Sequence, residues 1–254
     1  MSKLVLKSAA LLTAALILTP ALAQTVKADT AASYDSTGQV TFTPNTDVTG
    51  PVDPSDPNLP YQPTDPTDPD GKPQPGTAGP LSIDYASSFD FGTHPVGTTG
   101  IVYAASQEGT DSTGAAATRD NYVQVTDKRG SFAGWSLSVT QGAQFATASG
   151  DQLVGAALTL GNGAIQGQAT SLPADVSAAS TTLTPGAASG TILGATAGHG
   201  VGTSLLNFGS ADGTSNSDTS VALDLGTTVN ASNQKAQAYT TDLTWTLADT
   251  PANA

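Results

Sequence analysis

Cysteine is absent from the 254 residues, so neither disulfides nor thiolate metal sites hold this chain together. Histidine is nearly absent. His94 and His199 lie far apart, each in glycine-rich loop text, whereas a hydrolase triad or a two-histidine metal site needs such groups to converge. Glu108 is the sole glutamate among 21 acidic residues. A glycosidase pair would have to use it with one of many aspartates, and Glu108-Gly109-Thr110-Asp111 reads more simply as an exposed turn. Gly134-Trp135-Ser136-Leu137-Ser138 comes one residue short of the G-x-S-x-G nucleophile elbow and sits in an alternating strand pattern, not at a strand-to-helix turn. Helical periodicity is missing too, apart from a single possible turn over residues 174–179, so no glycine loop leads into a helix that could cradle a phosphate. No catalytic residue, cofactor site or metal ligand is assigned, and the expectation is that the protein is not an enzyme.

Positive charge is equally scarce. Eight Lys and Arg stand against 21 acids, a net charge of −13. Three of the eight, Lys3, Lys7 and Lys27, fall in the first 28 residues, which have the form of a signal peptide. Lys3 and Lys7 make a positive start, and residues 9–18 are apolar but too short to span a bilayer. Small-x-small patterns follow at Ala21-Leu22-Ala23 and Val26-Lys27-Ala28. Cleavage is expected after Ala28, with Ala23 as the alternative. Removing residues 1–28 leaves five basic residues against 21 acids, or −16. Such a surface repels nucleic acid, anionic lipid and polymer phosphates. No second apolar run follows, so no membrane insertion is expected after cleavage. After Leu247 only Ala-Asp-Thr-Pro-Ala-Asn-Ala remains, with no L-P-x-T-G sorting signal, so any attachment to the cell is expected to be non-covalent.

Four segments emerge: the signal peptide (1–28), an N-terminal segment (29–50), a Pro/Asp-rich stretch (51–80) and a β domain (81–254). Within 29–50, Gln39-Val40-Thr41-Phe42 carries a short strand signal. It either docks as an edge strand or stays unstructured, since a lone strand is unstable. From Pro51 to Pro69 a proline recurs at every third residue. A polyproline II helix has three residues per turn, and at ~3.1 Å per residue the stretch would reach on the order of 55 Å as a stiff spacer. Asp68-Pro69-Asp70-Gly71 resembles a calcium loop only superficially, because no closing glutamate follows. The roughly 175 residues after Pro80 suffice for one domain. Short alternating runs predict strands at 81–85, 89–91, 101–104, 122–126, 135–141, 155–160, 181–183, 191–194, 205–208, 221–225 and 239–247. The fold class is therefore all-β, a single sandwich or barrel-like domain of about ten short strands preceded by an extended Pro/Asp-rich loop.

What the chain does have is one tripeptide twice. Trp135-Ser136-Leu137 and Trp245-Thr246-Leu247 both read W-x-L and use the only two tryptophans. Trp135, Leu137 and Val139 alternate with Ser136, Ser138 and Thr140. Tyr239, Leu243, Trp245 and Leu247 alternate with small polar residues. A period of two places each large set on one face of a strand. With 6 Phe, 6 Tyr and 2 Trp in all, the domain has few aromatics to leave in solvent, so both tryptophans are read as core in preference to stacking platforms for sugars.

With Gly134 through Val139, Tyr239 through Leu247, Pro251, the Asp-Pro repeat, Gly38 through Pro44 and Gly79 through Tyr85, the chain resembles WxL-domain proteins of Gram-positive bacteria. The resemblance covers nearly all of the mature chain. It implies a secreted surface protein held non-covalently on the cell wall by peptidoglycan, with Trp135, Leu137, Tyr239, Leu243, Trp245 and Leu247 as motif residues in the core or at the wall. It also implies other secreted or membrane-anchored surface proteins as partners. The alternative is an adhesion or assembly module that binds other surface proteins or host matrix without touching the wall.

Overall fold

The computed structural model describes residues 31–209, 219–226 and 232–253. The expected signal peptide lies outside the described residues. The chain divides into two units, Met1–Thr41 and Phe42–Ala254. In the first, residues 31–41 carry no regular structure, and Tyr34 and Val40 are exposed. The strand expected at 39–42 does not form: no paired strand includes it, and an unpaired strand leaves its backbone groups to water.

The second unit is all-β. Seventeen strands form five antiparallel sheets, with no α-helix among the described residues. One four-stranded sheet runs in the order Gly163–Gly167, Gly202–Phe208, Asn121–Asp127, Leu81–Ala86. The next runs Val176–Ser177, Leu193–Ala195, Trp135–Gln141, Leu243–Ala248. The last runs Ser180–Thr182, Ala157–Gly161, Val221–Asp224, Ile101–Tyr103. A three-stranded sheet (Gln62–Pro63, Gln107–Thr110, Ala116–Arg119) and the pair Val52–Asp53 with Asp56–Pro60 complete the set.

Of the expected sandwich or barrel-like domain the all-β class holds, while the sheets are arranged in a propeller-like ring and not as a clearly single sandwich. The physical reason is strand length. No described strand exceeds seven residues and several have only two to five, so the described strands gather into small sheets of two to four strands in place of two broad facing layers. The strands also differ locally from expectation. Residues 89–91 and 239–242 are not strand, and the expected helical turn at 174–179 contains the strand Val176–Ser177 instead. Glu108 lies within a strand, and the turn comes after it.

The largest correction concerns the Pro/Asp stretch, which is not an extended polyproline spacer. Residues 52–63 fold back as strands, and Val52, Pro54, Pro57, Tyr61 and Pro63 are buried. Their anchor is the outer face of the sheet that contains Tyr122. On that sheet Val123, Val125, Leu206 and Phe208 enter the main core, while Tyr85, Tyr122 and Leu205 form a second cluster with Val52 and Tyr61. A bulge between Ile83 and Tyr85 helps, turning both Asp84 and Tyr85 toward the second cluster. Arg119 grips Asp53 with two 2.7 Å hydrogen bonds and lies 5.7 Å from the centre of the Tyr61 ring. The side chain of Gln124 accepts from the Val52 N–H at 2.8 Å and donates to the Gly50 carbonyl at 3.1 Å. Burying two apolar residues and a charge-assisted pair outweighs the preference of the prolines for extension. Proline is tolerated here because the strands are short and peripheral.

Candidate functional site

The two W-x-L tripeptides, 110 residues apart, lie side by side. Trp135–Gln141 and Leu243–Ala248 pair antiparallel, with Leu247 opposite Leu137 and Trp245 opposite Val139. Directly opposed residues share a face, so both motif sets point inward, as the alternation predicts. Their environments differ. Trp135–Gln141 is an interior strand, and Trp135, Leu137 and Val139 are 0% exposed. The Trp135 indole N–H donates to the Gly200 carbonyl at 3.0 Å, which satisfies its polar edge inside the core. Gly200 has φ +74, and a Cβ there would strike Ala195 and the indole nitrogen. The first tryptophan is therefore a core residue.

Trp245 lies on the outermost strand of the same sheet and is half-buried, as are Leu243 and Leu247. Tyr239 packs partly on the core and its hydroxyl accepts from the Lys235 N–H at 2.8 Å. Two cavities open beside this strand. The first, of about 580 Å³, has walls from Tyr85, Phe89, Phe91, Phe145, Leu243 and Trp245. The second, of about 540 Å³, is lined by Thr77, Leu81, Ile83, Trp245, Leu247 and Asp249. Trp245, Ile83 and Thr77 border both. The cleft thus runs between the outermost strands of two sheets, Leu243–Ala248 and Leu81–Ala86.

The ladder also fixes where the backbone of the second motif points. Leu137 and Val139 give their carbonyls to Ile192 and Ser189, on the side away from Trp245. Hydrogen-bonded pairs alternate in an antiparallel ladder, so Ser136, Ser138 and Thr140 bond Ala248, Thr246 and Thr244. The N–H and C=O groups of Leu243, Trp245 and Leu247 therefore face the free edge, where no described strand is added.

The cleft is acidic. Asp242 borders the first cavity and Asp249 the second, both exposed, while Asp84, also at the first cavity, is buried with its carboxyl bonded to Ser82, Gln124 and Thr126. Burial pushes the Asp84 carboxyl up, against hydrogen bonds from Ser82, Thr126 and Gln124 that lower it. Burial likewise pushes the Tyr85 phenol up; it donates to Gln107 at 2.5 Å. The two histidines have separate partners: His94 lies 2.6 Å from the Phe91 carbonyl oxygen, and His199 lies 3.2 Å from Asp175. No group of three or more His, Cys, Asp or Glu suited to a metal occurs among the described residues. The arrangement is an aromatic cleft with polar ends, suited to holding an extended polymer.

The motif alternation located Leu243, Trp245 and Leu247, but not the opposite wall. Ile83, Phe89, Phe91 and Phe145 come from three other segments; strands were expected at 81–85 and 89–91, but no local pattern set these residues beside the second motif. A family model described as a surface cell-wall-binding WxL domain matches residues 29–251. No curated protein and no solved structure is a significant match.

Proposed function

The chain belongs to the WxL family of surface cell-wall-binding domains, and on that premise we propose that the mature protein is secreted, begins at Asp29 and binds peptidoglycan non-covalently through the cleft beside Trp245. The observation that carries this reading is the asymmetry of the motif pair. Trp135 is sealed in the core, whereas Trp245 is half-buried between two cavities on an outermost strand. An indole face offers stacking area to the C–H faces of wall sugars, and the exposed Thr244 hydroxyl beside it offers hydrogen bonds, while Thr77 and Thr241 donate to the Ile83 and Ala143 carbonyls. A match over residues 29–251 supports a module that includes the Asp-Pro strap as well as the β domain after it. The test is sedimentation of the mature protein with protein-free peptidoglycan stripped of teichoic acid. Wild type should pellet and Trp245→Ala should remain soluble while still folded; equal pelleting of both would place the contact elsewhere.

A second reading rests on the free edge. The unpaired backbone groups of Leu243, Trp245 and Leu247 suit an extended segment of another surface protein added as a strand. In that case wild type would stay in the supernatant with bare peptidoglycan and bind only in the presence of the partner.

A further inference from the structure

Resting on that wall-binding reading, we propose that Phe132 is an additional glycan subsite at the Asp249 end of the cleft, held in a strained backbone so that its ring stays open to ligand. The loop of residues 128–134 joins Asn121–Asp127 to the first motif strand. Three of its residues have left-handed φ: Gly130 at +70, Phe132 at +56 and Gly134 at +79. Glycine takes such angles without steric penalty, but an aromatic side chain does not. Asn162 is the only other non-glycine residue of this kind among the described residues, and asparagine is suited to that region. Phe132 is also 48% exposed in a chain with few aromatics, so burial does not account for the strain.

The loop is braced from three sides. Arg129 holds Asp127 through two bonds and donates to the Gly134 carbonyl at 2.7 Å, tying the two loop ends together. The Gly198 N–H donates to the Phe132 carbonyl at 2.9 Å. Gly134 is wedged so that a Cβ would lie 3.0 Å from Pro251 and 3.0 Å from Thr196. Strain of this sort persists only where surroundings over-determine it, and it concentrates where a group must be presented to a ligand.

The same contacts tie the two ends of the loop to residues beside the second cavity. Leu81 lines the second cavity and pairs with Asp127 at the base of the loop. Asp249 lines the same cavity, two residues before the Pro251 that packs on Gly134. Along the strand, Asp249 stands roughly 13 Å beyond Trp245. The segment that bonds the Phe132 carbonyl through Gly198 carries Thr196 and His199, whose hydroxyl and imidazole gather on the exposed Asp175. An exposed aromatic ring, with hydroxyl, imidazole and carboxylate groups on the segment bonded to its backbone, matches the chemistry of a sugar site. A polymer lying on Trp245 would reach Phe132 only if it extends past Asp249.

The experiment uses the mature protein, stripped and unstripped walls, and soluble wall fragments of one and of several disaccharides. Phe132→Gly removes ring and strain together. Its melting temperature should equal or exceed wild type, while affinity for long glycan falls roughly fivefold to tenfold and affinity for the single-disaccharide fragment is unchanged. Phe132→Tyr should keep the wild-type affinity. A lower melting temperature in Phe132→Gly would show that the ring is structural and overturn the proposal. So would unchanged long-glycan affinity while Trp245→Ala abolishes it, an outcome that leaves the cleft reading standing. Loss of the Phe132 effect on stripped wall alone would assign the ring to a teichoic-acid sugar and overturn the subsite. Absence of wild-type binding to any wall preparation would sink both the subsite and the cleft.

Discussion

Replacing Trp135 by alanine would empty a site that is fully enclosed and orphan the Gly200 carbonyl. The expected loss is roughly 3–5 kcal/mol, read from urea or thermal unfolding. Trp245→Ala removes a side chain that is only half-buried, so its stability loss should be smaller, roughly 1–2 kcal/mol, and its main effect should appear in wall binding. Equal losses in the two variants would refute the division of labour. Gly200→Ala tests the same packing from the other side. A Cβ at φ +74 meets both Ala195 and the Trp135 indole, and should lower stability by about 2–3 kcal/mol. The alternation of Leu with Thr and Ser showed in advance which face each tryptophan takes. It was silent on depth, because depth depends on whether a strand has one neighbour or two.

At the scale of elements, the Asp-Pro strap is the informative case. The three-residue proline period is real, yet the hairpin forms because Tyr61, Val52 and the Asp53–Arg119 pair find a prepared face on the Tyr122 sheet. Asp53→Asn should cost on the order of 2 kcal/mol at neutral pH by weakening two charge-assisted bonds. The sign with pH follows from the carboxyl itself. Burial raises its pKa, but hydrogen bonds from Arg119 and Ser55 outweigh that and hold it below the ordinary 3.8. Its stabilisation is therefore complete above 3.8 and lost as pH falls through the lower folded value. Asp84 acts in the opposite sense, since its pKa is raised and protonation favours the folded state. Unfolding curves of wild type and Asp53→Asn should thus differ at pH 6 and converge in strong acid. A gap that is constant with pH would assign the effect to shape and not to charge.

On the scale of the whole molecule, charge sets how the protein meets a wall. With −16 after removal of residues 1–28, long-range attraction to an anionic wall is unfavourable, and salt screens that repulsion over a Debye length of about 8–10 Å. Binding should hold or strengthen between low and moderate salt, and stripping teichoic acid should help or do nothing. A steep loss of affinity over that range would point to attraction between opposite charges and count against contacts made in the cleft. Of the five basic residues left, Arg119 and Arg129 are committed to Asp53 and Asp127, and Lys235 to Asp151. Few cations remain to form a basic patch.

The sequence alone determined the all-β class, the inward face of both motif strands and the family. Alternation with period two, proline spacing and W-x-L text are local, and local patterns survive without knowledge of neighbours. Only the tertiary structure decided that the two motifs are adjacent, that one tryptophan is sealed and the other borders a cleft, and that residues 52–63 return to cover a sheet. These outcomes depend on contacts between residues 60 to 110 positions apart. Asp53 with Arg119, Trp135 with Gly200 and Leu137 with Leu247 each need a specific chain path that no local pattern encodes.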